Sequence, residues 1–128
     1  MADSVANVVA VMKRHSVFKL VIMSSFGTAE SRPNMILLMR WAIAHTELAL
    51  SYADHDMVDQ EVKKTGMKYV LVRPNRLTNG IKAPVKVFKE DGADMGGFMS
   101  ISRASVANFL VDAVEQSTWD RRTPTIAN

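Results

Sequence analysis

The stretch that decides the fold is Gly66-Met-Lys-Tyr-Val-Leu-Val-Arg-Pro74. Its apolar core is continuous rather than alternating, which is typical of a strand buried on both faces of a parallel sheet. Pro74 ends the strand because proline has no backbone N–H to give to a neighbouring strand. Gly66 stands where glycine commonly follows the last turn of a helix, so a helix is expected to end just before it.

The residues upstream predict one crossover unit. A second apolar run, residues 18–24, is also rich in β-branched residues and predicts another buried strand. One long helical segment is expected between the two strands, over residues 34–65, with a kink where Asp54 could cap a restarted helix. A strand, a helix and a strand in this order predict a right-handed crossover in a parallel sheet, and hence the α/β class.

The flanking segments extend this pattern. An amphipathic helix is expected before residue 15, capped by Asp3 or Ser4. Beyond Pro74 we expect a polar turn region over 75–84, a half-exposed strand over 85–89 and a short strand over 98–101. Ser102 is expected to cap a last helix. The stretch 118–128 is polar and predicts a loosely held tail.

Composition excludes several classes of function. The 128 residues contain no cysteine, which rules out disulfides, thiolate metal sites and cysteine nucleophiles. The most apolar stretch, residues 35–50, is interrupted by charged residues and is shorter than the ~20 residues that cross a bilayer. The N-terminus is not a secretory signal, so a cytoplasmic protein without a membrane partner is expected. Basic pairs are scattered rather than interleaved with aromatic residues, which predicts no nucleic-acid binding.

In order and spacing, four segments resemble the atypical short-chain dehydrogenase/reductases, in the NAD(P)H-binding branch that contains NmrA-like proteins and biliverdin-IXβ reductase. The segments are Lys19-Leu-Val-Ile-Met-Ser-Ser25, Tyr52-Ala-Asp-His55, Thr65-Gly-Met-Lys-Tyr-Val-Leu-Val-Arg-Pro-Asn-Arg-Leu-Thr78 and Ile101-Ser-Arg-Ala-Ser-Val-Ala-Asn-Phe-Leu110. The resemblance implies a truncated Rossmann-like parallel sheet flanked by helices, with residues 1–117 as a partial domain and 118–128 as its tail.

The family usually begins with a half-sheet whose first strand leads into a Gly-x-x-Gly-x-x-Gly loop around the dinucleotide pyrophosphate. The six glycines of this chain include no such triplet. By resemblance the chain starts at the family's fourth helix. No cofactor is therefore expected from one chain alone, and NADP enters only if the nucleotide-binding half is supplied by another chain or lies outside this one. A homodimer is expected to cover the strand edge that the absent half would cover.

The resemblance also places a small-molecule substrate site at the carboxyl ends of the two strands. Ser25 matches the active-site serine of the family. Arg73 is expected to attract an acidic group, or alternatively to form a salt bridge with a helix carboxylate. The substrate-binding candidates are Ser24, Arg73, Asn75, Leu77 and Met99. Five methionines flank the predicted cleft and suit either an adaptable apolar pocket or the core: Met23, Met35, Met39, Met95 and Met99.

Candidate acid–base residues are concentrated between residues 54 and 59. His55 and Asp59 share a helix face, where the carboxylate could hold the imidazole charged or fix its tautomer, and Asp54 lies beside them. The alternative is a solvated helix start with a local ion pair. The spacing matches no zinc signature, so no metal is expected. Asp56 stands four residues after Tyr52, where typical dehydrogenases have the lysine of a Tyr-x-x-x-Lys pair, which leaves the usual proton donor unassigned.

Three functions follow. The first is a cofactor-independent isomerase, cyclase or dehydratase, in which His55, Asp54 or Asp59 moves protons and Ser25 and Asn75 orient a carbonyl. The second is an NAD(P)H-dependent reductase whose nucleotide-binding half is supplied by another chain or lies outside this one. The third is a non-catalytic, NmrA-like regulatory module.

Overall fold

The computed structural model describes residues 2–96 and 98–128. Its helices and strands confirm the α/β class and follow the chain in this order: α1 Ala2–Arg14, β1 Lys19–Met23, a 3₁₀ helix Ala29–Asn34, α2 Leu37–Ala44, α3 Leu48–Lys64, β2 Lys68–Pro74, β3 Arg76–Thr78, β4 Lys86–Phe88, β5 Ser100–Ser102, α4 Arg103–Glu115 and β6 Thr125–Ala127.

The main sheet has four strands in the order β1-β2-β6-β4. Strands β1 and β6 both run parallel to β2, and β4 lies antiparallel to β6. The register sets Lys19 of β1 opposite Lys68 of β2. Strands β3 and β5 form a separate parallel pair. The order leaves β1 at an edge of the main sheet, where the resemblance predicts an uncovered strand.

Strand β2 is buried on both faces, as its continuous apolar run predicts. Val70 and Val72 pack into a cluster with α4, whereas Leu71 packs into a second cluster with α3. Successive side chains of a strand point to opposite faces, so β2 serves both clusters. Strand β1 was expected to be buried in the same way, but its residues are half-buried or exposed because it has a neighbour on one side only.

The expectation of a loosely held tail is wrong. Residues Thr125–Ala127 form β6, which is buried between β2 and β4. The backbone N–H of Arg73 donates to the Pro124 carbonyl at 2.9 Å, and that of Asn75 donates to the Ile126 carbonyl at 3.1 Å. A strand of three residues is too short to show a hydrophobic period, so its polar surroundings concealed it.

The prediction of a single long helical segment is also wrong, because the structure has a 3₁₀ helix, α2 and α3 in its place. The break between α2 and α3 falls at residues 45–47. There the His45 side chain bonds the Trp41 carbonyl at 2.8 Å, and Thr46 Oγ1 donates to the Ile43 carbonyl at 3.3 Å. Side chains that bond the backbone in this way favour helix ends. Asp54 lies inside α3 and caps no helix start.

Two local predictions are confirmed. Ser102 caps α4, its Oγ accepting from the Ser105 backbone N–H at 3.1 Å. Gly66 follows α3 with a φ of +72°, a left-handed conformation that glycine adopts without strain. In contrast, the expected turn region 75–84 contains a strand, β3, at Arg76–Thr78.

Candidate active site

A pocket of about 850 Å³ lies where β1 and β2 end. Parallel strands place their carboxyl ends at one edge of a sheet, which is the usual position of ligands in open α/β folds. Six residues expected at the site line this pocket: Ser24, Ser25, His55, Asn75, Leu77 and Met99.

Methionine is the commonest residue in the walls of the pocket. All five methionines that flank the cleft in sequence line the pocket, together with Phe26, Phe98 and Ile36. Helix α2 buries none of its residues, yet its Met39 belongs to this lining, so α2 is an exposed wall of the pocket. Thioether side chains are flexible and polarisable, and such walls can adjust to the shape of an apolar ligand.

Two hydroxyl groups converge in this pocket. Ser25 Oγ lies 3.3 Å from the Tyr52 hydroxyl oxygen. Ser25 Oγ donates to the Phe26 carbonyl oxygen at 3.2 Å, and the Tyr52 hydroxyl reaches the same oxygen at 3.3 Å. The arrangement can therefore present two donors to a single carbonyl oxygen.

Tyr52 is the site residue that sequence reasoning missed. The available signal was its place as the tyrosine of a Tyr-x-x-x-Lys pattern, set aside because Asp56 occupies the lysine position. In the structure, the Asp56 side chain instead binds residues of the 3₁₀ helix. Its carboxylate accepts from the Ala29 backbone N–H at 2.7 Å and pairs with Arg32 at 2.5 Å, which anchors the 3₁₀ helix beside the pocket.

Gly27 allows the chain to pass close behind the tyrosine. Its φ is +91°, and a Cβ built there would lie 3.2 Å from Tyr52 Cε1 and would collide with the Met35 side chain. The Gly27 N–H donates to Ser31 Oγ at 2.9 Å. A residue with a side chain would be strained by this backbone and would displace its neighbours.

His55 faces the pocket without the partner expected for it. Its Nδ1 is buried and has no hydrogen-bond partner among the described residues. Burial lowers the pKa of His55, although the carboxylates of Asp54 and Asp56 oppose that shift. The neutral imidazole is therefore favoured at neutral pH. Asp54 is half-buried and does not belong to the described lining.

The predicted pairing of His55 with Asp59 is wrong. Asp59 is buried, accepts from Arg73 Nη2 at 2.5 Å and pairs with Lys63 at 2.6 Å. An ionised carboxylate in the interior needs such partners, because isolated burial of a charge is costly. Asp59 is thereby committed to the protein interior and stays outside the pocket lining.

The structure also corrects the prediction that Arg73 binds the substrate. The side chain is fully buried, and besides Asp59 it contacts Glu30 at 3.1 Å and donates to the Glu90 carbonyl at 3.1 Å. Of the two alternatives for Arg73, the salt bridge to a helix carboxylate is the one found. Burial alone would raise the pKa of Glu30, but the hydrogen bond and charge of Arg73, with Lys63 nearby, lower it to about 2.

Neither Gly27 nor Gly92 fits a dinucleotide pyrophosphate. The Gly27 N–H is taken by Ser31, and the space beside Gly27 is filled by side chains. A Cβ at Gly92 would likewise collide with the Phe26 ring. A phosphate cradle needs free backbone N–H groups that face an open cleft. These glycines instead serve internal packing.

Residues 2–96 and 98–128 contain no cluster of three or more histidine, aspartate or glutamate residues that could hold a metal ion. None of their helices combines the length and the apolarity that a bilayer crossing requires.

The sequence pattern of the NAD(P)H-binding family matches residues 1–117. This chain belongs to the NAD(P)H-binding family. The resemblance to the NAD(P)H-binding branch is thereby confirmed, and so is the Rossmann-like α/β fold. No curated protein sequence matches the chain significantly.

Solved structures of several other proteins have the same fold at low sequence identity. A short-chain dehydrogenase/reductase from Veillonella parvula, solved in complex with NADP, is 16% identical, with a TM-score of 0.76 over 99% of this chain and 58% of its own. The anaerobillin reductase ChuY from Escherichia coli O157:H7 is 12% identical, with a TM-score of 0.76 over 94% of this chain and 54% of its own.

A third structure, of a protein assigned as an NAD-dependent epimerase/dehydratase from Bacillus halodurans, is 21% identical. Its TM-score is 0.71 over 95% of this chain and 51% of its own. The chain thus spans little more than half the length of these three proteins.

Proposed function

We propose that this chain forms the substrate-binding side of an NAD(P)H-dependent oxidoreductase that acts on the carbonyl group of a small apolar molecule. The supporting observation is the convergence of Ser25 and Tyr52 on one carbonyl oxygen inside the methionine-lined pocket. Membership of the NAD(P)H-binding family and the likeness to a reductase support the same reaction class.

The chain's own contribution is to bind and polarise the substrate carbonyl. A carbonyl oxygen placed between Ser25 and Tyr52 would take over the hydrogen bonds that the Phe26 carbonyl now receives. Both bonds strengthen as negative charge develops on that oxygen, so they favour the transition state over the ground state. Asn75, at the end of β2, is a further polar group in the lining and can orient the substrate.

The nucleotide is held elsewhere in this proposal, because the chain lacks the family's glycine triplet and neither Gly27 nor Gly92 fits its phosphates. Strand β1 has one free edge, and exposed apolar side chains lie on and around it. They include Phe18 and Met23. We propose that a nucleotide-binding polypeptide segment continues the sheet at this edge, which would bring NADP to the pocket side of the fold.

The test uses the protein as isolated, together with any chain that co-purifies. NADPH or NADH is expected to raise its melting temperature, and oxidation of the cofactor is expected to require a carbonyl compound. Tyr52→Phe and Ser25→Ala should each lower kcat by about 10²–10³-fold, as for loss of one oxyanion donor. Tyr69→Phe, a half-buried tyrosine in β2, is the matched control. Equal activity of Tyr52→Phe and Tyr69→Phe would contradict the assignment.

A second candidate is a cofactor-independent isomerase, cyclase or dehydratase, favoured by one observation at His55. A neutral imidazole has one unprotonated ring nitrogen, and because His55 lines the pocket, its imidazole can take a proton from a substrate. Asp59 cannot share this task because Arg73 and Lys63 engage it.

In this candidate a homodimer covers the edge of β1. Turnover without dinucleotide that disappears in His55→Gln would support it, whereas a solution mass of a stable monomer would contradict the homodimer. Dinucleotide binding without any turnover would instead favour the regulatory module.

A further inference from the structure

The described pocket lining carries a positively charged side chain and no negatively charged one. Among the described residues, no aspartate or glutamate lines the pocket, and Arg76 is the one lysine or arginine that does. The remaining polar groups there are hydroxyls, amides and the imidazole of His55. A cation beside apolar walls, with no acidic side chain to neutralise it, makes the lining favourable for an anion.

The backbone of Arg76 is well fixed. Its N–H donates to Asn75 Oδ1 at 2.7 Å, and Arg76 is opposite Ser100 in the parallel pair of β3 and β5. These bonds set the direction in which the side chain leaves the strand. A guanidinium that projects from a fixed strand can bind a carboxylate with two parallel hydrogen bonds.

The Arg76 guanidinium itself has no hydrogen-bond or ion-pair partner within the part of the chain that the structure describes. Two other exposed arginines are engaged: Arg32 pairs with Asp56, and Arg122 pairs with Glu90. Arg73, three residues before Arg76, is buried and paired with Asp59. Residues 73–76 thus contain two arginines with different roles. Arg73 forms ion pairs in the interior, whereas the Arg76 guanidinium can bind a ligand.

We propose that the pocket takes an apolar molecule with a carboxylate, and that Arg76 is the residue that selects this acid group. The methionine walls accept the apolar body, and the absence of acidic side chains from the described lining avoids repulsion of the carboxylate. The substrate is then an apolar keto acid. Only the position of its ketone, at Ser25 and Tyr52, rests on the proposed function.

Binding is measured by isothermal titration calorimetry with decanoate and with decanol, which share an apolar chain and differ in the charged group. Wild type should bind decanoate about tenfold or more tightly than decanol, because the carboxylate gains a charge-assisted hydrogen bond. Arg76→Gln should remove this preference and leave decanol binding unchanged. Arg76→Lys should restore part of it. Arg40→Gln, an exposed arginine of α2 outside the lining, should behave as wild type.

Equal affinity of wild type for decanoate and decanol would overturn the proposal, and so would equal losses in Arg76→Gln and Arg40→Gln. A dinucleotide phosphate is the other source of an anion, so NADP⁺ and inorganic phosphate are titrated in parallel. Weaker binding of NADP⁺ by Arg76→Gln, with decanoate binding intact, would also overturn the assignment. No carbonyl reduction is measured, so a failure of the oxidoreductase proposal leaves this result unaffected.

Discussion

Arg73 donates to Asp59 across 2.5 Å in the interior, and neither side chain reaches solvent appreciably, with exposures of 0% and 3%. The pair joins β2 to α3, and Glu30 and Lys63 extend it toward the surface. Glu30 belongs to the 3₁₀ helix, which leads directly into the pocket residues Asn34 and Met35. Arg73 and Asp59, which were expected to contact the substrate, therefore stabilise the segment that forms one wall of the pocket.

Replacing Asp59 should destabilise the fold strongly. Asp59→Asn leaves the buried Arg73 guanidinium and Lys63 without their closest carboxylate, and breaking a buried pair typically costs about 3–5 kcal/mol. Urea unfolding measures the change. Glu61→Gln, which breaks an exposed pair with Lys64 on the same helix, should cost about 1 kcal/mol or less. Similar losses for the two variants would contradict a buried, coupled pair.

Acid should weaken the fold through Glu30. Its pKa is lowered from 4.5 to about 2 in the folded protein, so its carboxylate stabilises the fold above its ordinary pKa. This contribution is lost as the pH falls from about 4.5 toward 2. Glu30→Gln should lower stability at neutral pH and flatten the loss across that window. Denaturant unfolding over a pH series provides the measurement, with Glu115→Gln at the exposed end of α4 as control. An unchanged acid slope in Glu30→Gln would count against this role.

Gly27 should not tolerate alanine. The left-handed backbone costs a residue with a Cβ about 1–2 kcal/mol, and the new methyl group would also press on Met35 and Tyr52. Gly66→Ala is the matched control, because Gly66 shares the positive φ but has open space around its Cβ position. The free energy of unfolding should fall more for Gly27→Ala than for Gly66→Ala. Equal losses would mean that the contact with Met35 and Tyr52 relaxes freely.

The C-terminal strand should be essential to the core. Ile126 is fully buried in β6, so Ile126→Ala should cost about 2–5 kcal/mol. Ile81→Ala makes the same chemical change at a residue that is 89% exposed, and it should cost about 0.5 kcal/mol or less. Thermal and urea unfolding both report the difference. Comparable stability of the two variants would be inconsistent with a buried β6.

Part of the candidate site could be predicted from strand ends alone. Ser24, Ser25 and Asn75 follow or end continuous apolar runs, and parallel strands bring such ends together. Arg73 lies on the same run but alternates with Val72, so its side chain points to the face that Leu71 shares with α3. The alternation was visible in the sequence, but which helix covers which face was not.

The sequence by itself determined the elements whose signals are local. Buried strands show as continuous apolar runs, and helix ends show as Ser102 and Gly66, because backbone conformation depends on nearby residues. Only the tertiary structure decided the pairings between distant residues. It inserted β6 beside β2, joined Arg73 to Asp59 and brought Tyr52 to Ser25. These contacts depend on which faces meet when the chain folds, and no local spacing records that choice.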